Sequence, residues 1–129
     1  MTSRILPEYF VKQVVSRFQL TEYTTKVDSS LRFPGIPIIA SPNFLEAGAF
    51  LAKCNQELKQ DSTNIFLLTK LTNLSRPSFK QFLSDTKFCK AVYLVPKLIF
   101  EGYESPAPFA LCLLHLEQGG SADTKLEVW

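Results

Sequence analysis

Residues 64–71, Asn-Ile-Phe-Leu-Leu-Thr-Lys-Leu, carry four apolar side chains in a row. Successive side chains of a strand point to opposite faces of a sheet, so a strand with consecutive apolar residues has no wet face. It needs cover on both sides, and it usually belongs to a parallel sheet flanked by helices. The run Phe109-Ala-Leu-Cys-Leu-Leu-His-Leu116 makes the same demand. Two such runs confine the chain to a layered α/β arrangement, and the remaining segments must supply the covering helices.

Three segments do so. Phe10, Val11, Val14, Val15 and Phe18 recur at helical spacing behind Pro7 and Glu8, with Lys12, Gln13, Ser16 and Arg17 off the stripe. Pro7 suits a first helical turn and Glu8 its positive end. Phe44, Ala47, Leu51, Cys54 and Leu58 make a second stripe, with Gly48 allowing close approach to a neighbour and Lys53 and Gln56 pointing away. A third helix is expected to begin at Ser75 as N-cap, with Pro77 in its first turn, and to run to about Asp85 with Phe79, Phe82 and Leu83 inward.

Strands fill the gaps. Residues 36–40 read as a short buried strand that stops at Ser41-Pro42-Asn43-Phe44, and residues 91–95 as another, interrupted by Pro96-Lys97 and resumed over 98–100. Tyr23, Thr24, Thr25 and Val27 favour a further strand that ends in the turn Asp28-Ser29-Ser30. No helix separates the last two strands, so they should pair antiparallel as a hairpin. The expected order is an N-terminal helix followed by β-α-β-α-β-β, in one domain over residues 1–117. Residues 118–129, opening on Gln-Gly-Gly-Ser-Ala-Asp, are expected as a flexible tail.

Composition narrows the chemistry. The 129 residues are 46% hydrophobic, enough for a sizeable core, and the net charge of +2 does not announce a nucleic-acid binder by itself. Cys54, Cys89 and Cys112 are widely spaced, and His115 is the only histidine, so no metal site is expected. Unpaired thiols fit a reducing compartment, and an intracellular location, cytoplasm or nucleus, is the expectation. No long uncharged apolar run suggests a membrane partner.

Open α/β sheets place ligands outside the carboxyl ends of their strands. Ser41, Pro42, Asn43 and Phe44 occupy such a position, although the same residues read equally as a Ser/Asn turn in which Asn43 caps the following helix. Asp28, just past a strand, suits a cofactor's ribose or amino group; a turn or capping role is the commoner use of such an aspartate. Lys70, Arg76, Lys80 and Lys97, with Lys87, Lys90 and Tyr103, suggest a nucleic-acid surface. Asp85, Glu101 and Glu104 interrupt it, as in an ordinary mixed-charge surface. His115 inside an apolar strand reads as a satisfied core or edge residue rather than a base.

The succession Ile38-Ile-Ala-Ser-Pro-Asn-Phe44, an amphipathic helix, Ile65-Phe-Leu-Leu68, Val95-Pro-Lys-Leu-Ile-Phe-Glu-Gly-Tyr103 and Pro106-Ala-Pro-Phe109 resembles the phage and mobile-element Dam-like adenine-N6 methyltransferases. The resemblance covers roughly residues 37–116. It implies an abridged Rossmann-like, class I methyltransferase-like sheet with helices on its faces and a C-terminal antiparallel hairpin. It also implies S-adenosylmethionine as cofactor and a nucleic-acid substrate. By resemblance, Ser41 and the carbonyl of Pro42 would accept the two hydrogens of an exocyclic amine. Phe44 would stack on a base taken out of its helix. Accepting those hydrogens localises a lone pair otherwise conjugated with the ring.

The sequence departs from that family at three points. Asn43 stands where the family has proline. No glycine-rich loop occurs, since the only glycines are Gly35, Gly48, Gly102, Gly119 and Gly120. About forty residues precede the tetrad, too few for the family's full cofactor-binding half, and Asp28 is the one candidate cofactor contact. Three readings follow: a catalytically degenerate, methyltransferase-like viral or mobile-element accessory protein that binds nucleic acid or a protein partner; an active adenine-N6 methyltransferase of DNA or RNA that needs a partner subunit; and a protein-interaction module. An abridged sheet leaves an open edge, so a homodimer is also expected.

Overall fold

A computed structural model describes residues 6–25, 35–42, 47–58, 63–85, 89–100, 102, 104–106, 110–117 and 124–129. Helix α1 spans Glu8–Phe18. Pro7 precedes it in an extended conformation, one position earlier than the first-turn place expected, and its carbonyl accepts the N–H groups of Phe10 (3.1 Å) and Val11 (3.2 Å). Gln19 closes the helix in the left-handed region at φ 52°. Phe10, Val11 and Val14 are buried, while Lys12 and Glu8 pair at 3.2 Å on the exposed side.

The remaining elements are β1 (Ile38–Ala40), α2 (Ala47–Leu58), β2 (Asn64–Lys70), a 3-10 turn (Leu71–Ser75), α3 (Pro77–Asp85), β3 (Cys89–Val95), β4 (Leu111–Glu117) and β5 (Lys125–Val128). The strands form one sheet in the order β1-β2-β4-β3-β5. β1 pairs parallel with β2, and β3 pairs parallel with β5. β4 lies between β2 and β3 and runs antiparallel to both. Hence β1, β2, β3 and β5 share one direction and β4 alone is reversed. Beyond β1, Thr24 makes a parallel bridge with Ile38, its N–H donating to Pro37 O and its carbonyl accepting from Ile39 N, each at 2.9 Å.

Two apolar layers flank the sheet, sorted by the strand period of two. On one face Ile39, Phe66, Leu68, Tyr93, Leu111 and Leu113 pack with Phe10, Val11 and Val14 of α1. On the other, Ile38, Ala40, Ile65, Leu67, Val92, Leu114 and Leu116 pack with Leu51, Cys54 and Leu58 of α2 and Phe79 and Phe82 of α3. The α/β class expected from the apolar runs is therefore present, with helices on both faces. The run over residues 111–116, apolar but for His115, takes the central strand of the sheet, where both its faces and both its edges are covered.

Several expectations need correction. β2 is not a purely parallel strand, because β4 binds one of its edges. Over residues 21–25 only the bridge at Thr24 is present, and Val27 and Asp28 lie outside the described residues. Residues 98–100 do not resume a strand after Pro96, which has no N–H for a ladder. Leu98 and Phe100 instead bury themselves against the α1 face. Ser75 does not cap α3: its hydroxyl donates to Thr72 O at 2.8 Å, and Arg76 supplies the first carbonyl, accepting Lys80 N at 2.9 Å. Residues 125–128, read as tail, are an edge strand instead. They are held by Thr124 Oγ1 donating to Cys89 O (2.8 Å), by Trp129 N donating to Leu94 O (2.9 Å) and by the Trp129 ring lying 5.6 Å from Phe10 and 5.4 Å from Tyr93. The alternation Lys-Leu-Glu-Val, closed by a tryptophan, was the strand signal there.

Candidate functional site

Ala40 lies across from Leu67, so Ser41 and Pro42 follow β1 beside the carboxyl half of β2, and Pro42 still makes a β-bridge. Both are buried, Ser41 to 3% exposure. Its Oγ has no hydrogen-bond partner among the described residues, an uncommon state for a buried hydroxyl. An oxygen with unspent bonding capacity at the carboxyl end of a parallel strand is equipped to bind a polar ligand group. Asn43, Phe44, Asp28 and Tyr103 lie outside the described residues.

The neighbouring strand end has spent its polar groups. Thr69 and Asn73 are buried, and Asn73 Nδ2 donates to Thr69 Oγ1 at 3.1 Å, tying the 3-10 turn back onto β2. Asn73 O accepts Arg76 N at 3.1 Å, and Leu71 N donates to Ala110 O at 2.9 Å. From the sequence alone Asn73 has no assigned role. Its four-residue spacing from Thr69 at a strand end is the signal that would have found it.

Of the basic residues, Lys70 ends β2, Arg76 precedes α3, Lys80 lies one turn into α3 on its exposed side, and Lys97 follows β3. All four stand at the carboxyl edge or on the helix that leaves it. Lys90 does not join them. It lies at the amino end of β3, 3.2 Å from the carboxylate of Glu117. Lys87 lies outside the described residues.

The histidine and the three cysteines are silenced by burial. His115 lies across from Phe66 and Ala91, stacks on the Phe66 ring at 4.6 Å, and its Nε2 is 2.7 Å from Asn64 Oδ1. Burial pushes its pKa down to about 4, with Glu117 opposing and Lys90 assisting, so the ring is neutral at pH 7 and donates to Asn64. It is a satisfied core histidine. Burial raises the thiol pKa of Cys54 well above its usual value and lifts Cys89 and Cys112 to about 12, leaving all three poor nucleophiles. Among the described residues no three His, Cys, Asp or Glu side chains converge to hold a metal ion, and no helix is long and apolar enough to cross a membrane.

Other concavities lie among the described residues. Gly48, Leu51, Ala52 and Asn55 of α2 face Ser78, Gln81 and Phe82 of α3 across a cavity of about 260 Å³. A Cβ on Gly48 would come within 3.0 Å of Ser78 Oγ, which is the close approach expected at that glycine. On the opposite face, an open groove of about 620 Å³ is lined by Lys12, Gln13, Ser16, Arg17, Pro96 and Trp129. Arg17 lies over both the Tyr93 and Trp129 rings, at 4.8 and 4.4 Å from their centres, and its guanidinium is 3.6 Å from Glu127.

The residues present do not fit S-adenosylmethionine in the expected way. The resemblance calls for a glycine-rich loop through which backbone approaches the cofactor. The chain beside β1 passes through Thr24, and no glycine occurs between it and Gly35, which turns at φ 78° directly before β1. No family model matches the chain, and no curated protein matches it closely enough to count as a relative.

Proposed function

We propose that this protein is a catalytically degenerate, methyltransferase-like scaffold, a viral or mobile-element accessory protein that works by binding nucleic acid or a protein partner. The observation that carries the reading is the strand arrangement. A single reversed strand, β4, is inserted between β2 and β3, and Ser41-Pro42 leaves the carboxyl end of β1 beside them. A reversed strand beside parallel neighbours late in the chain supports the likeness to the C-terminal half of a class I methyltransferase sheet, to which β5 is an addition. The missing glycine cradle argues that cofactor chemistry has been lost while the scaffold persists. Lys70, Arg76, Lys80 and Lys97 at the carboxyl edge favour nucleic acid as the ligand.

Fluorescence polarisation with labelled DNA and RNA oligonucleotides across a salt series tests this. Binding should weaken log-linearly with salt, with a slope of at most roughly 3 on a single strand if all four cations engage phosphates. Absence of binding at low salt would leave the protein-partner form of the proposal. A second reading, an active adenine-N6 methyltransferase with or without a partner subunit, is favoured by the Ser41 hydroxyl, which has no partner among the described residues and could accept an amine hydrogen. Micromolar calorimetric binding of S-adenosylmethionine by the chain alone would promote that reading over the first.

A further inference from the structure

β5 is one of the two outer strands of the sheet, and two of its apolar side chains are largely exposed. Leu126 and Val128 are 70% and 77% exposed. They lie across from Val92 and Leu94, which places them on the face covered elsewhere by α2 and α3. Lys125 and Glu127 lie across from Ala91 and Tyr93 and occupy the α1 face. Among the described residues no strand pairs with the outer edge of β5, which leaves a row of main-chain groups along it.

The direction of those groups follows from one hydrogen bond. Trp129 N donates to Leu94 O, so the main-chain groups of Trp129 face β3. Alternation along a strand turns those of Glu127 and Lys125 the same way, and those of Leu126 and Val128 outward. A strand added to this edge must therefore bond to Leu126 and Val128.

We propose that the occupant is a second copy of this chain, joined antiparallel through β5 about a two-fold axis at Leu126. In that register Leu126 faces its own counterpart as a hydrogen-bonded pair, and Val128 faces Thr124 of the second copy in two further such pairs. Lys125 then lies directly across from Glu127 of the second copy, and Glu127 from its Lys125, in the closer, non-hydrogen-bonded positions. Both ion pairs form at once because the two-fold repeats them. Shifting the axis to Glu127 sets two glutamates face to face, and shifting it to Lys125 sets two lysines face to face, each a like-charge cross-strand pair. Only the Leu126-centred register satisfies the outward main-chain groups, matches the charges and stacks the exposed apolar side chains of the two copies. The two sheets become one continuous sheet. This inference stands independently of the function proposed above.

A strand pair this short covers less than the roughly 1,000 Å² of a lasting interface, so the dimer is concentration-dependent. Sedimentation equilibrium on the full chain at low salt, from about 10 μM to about 1 mM, tests it over the range in which such weak contacts populate. The wild type should pass from monomer to dimer. Lys125→Glu and Glu127→Lys should each be monomeric throughout, and their equimolar mixture should recover a heterodimer, because each variant then offers the charges the other needs. Leu126→Arg, at an exposed position that leaves the monomer folded by circular dichroism, should abolish association. A wild type that stays monomeric at the highest concentration would overturn the proposal. So would single variants that dimerise as the wild type does, or a mixture that fails to associate.

Discussion

Replacing Ser41 with alanine has an unusual expected sign. A buried hydroxyl that makes a hydrogen bond stabilises a fold by about 1 kcal/mol, and one without a partner costs roughly 1–3 kcal/mol of desolvation. Ser41 Oγ belongs to the second kind. Alanine removes that cost and forfeits a few dispersion contacts of about 0.1–0.2 kcal/mol each. The net is a gain of about 1 kcal/mol. With an unfolding entropy of about 2.1 cal/mol/K per residue over 129 residues, that gain raises Tm by about 4 °C. Two neighbours calibrate the experiment. Thr63 Oγ1 is likewise buried without a partner, so Thr63→Val should hold or raise Tm. Thr69 Oγ1 accepts from Asn73, so Thr69→Val should lower stability by about 1–3 kcal/mol. Differential scanning calorimetry of the three variants supplies the numbers. A fall of more than about 4 °C for Ser41→Ala would show that the hydroxyl is structurally engaged, and it would remove the reason for treating Ser41 as poised for a ligand. The same variant should lose any methyl transfer the chain supports, and retained activity would take Ser41 out of the chemistry.

Other outcomes follow from burial. Leu67 is fully buried in β2, so Leu67→Asp places an unpaired charge in the core at a cost comparable to the whole stability; a native circular dichroism spectrum for this variant would mean that β2 is misassigned. His115 has its pKa lowered to about 4, below the unfolded value of about 6.5, so the unfolded chain binds the extra proton first as pH falls. Its contribution is fully present above pH 6.5 and is lost between 6.5 and 4, up to about 3 kcal/mol; His115→Gln should flatten denaturant midpoints across that window, and an unchanged slope would assign the effect to other groups. The three thiols are buried with raised pKa values, so Ellman's reagent should react with none of them in the native protein at pH 7 and with all three in denaturant. Rapid labelling of the native protein would show that the core opens readily.

Much of this architecture could be read from periodicity, because burial acts on side chains one or two turns apart. The stripes Phe10-Val11-Val14 and Leu51-Cys54-Leu58, the runs 65–68 and 111–116, and the reversal between the last long strands are local consequences of helix and strand geometry. That a short buried strand ends at Ala40, just before Ser41-Pro42, was legible for the same reason. What tertiary structure alone decided is which segments meet. No local signal says that β4 inserts between β2 and β3, that the hydroxyl of Ser41 finds no partner among the described residues while that of Thr69 finds Asn73, or that Lys90 pairs with Glu117 at the far edge from Lys70 and Lys97. The misreading of residues 125–128 as a tail shares that cause. Four residues with exposed side chains are too few to hold a strand by themselves, and they order here because β3 offers an open edge and Trp129 a seat beside Phe10 and Tyr93. Secondary structure is set by spacing along the chain, whereas partners across the sheet are chosen by shape, hydrogen bonding and charge between segments that the sequence keeps apart.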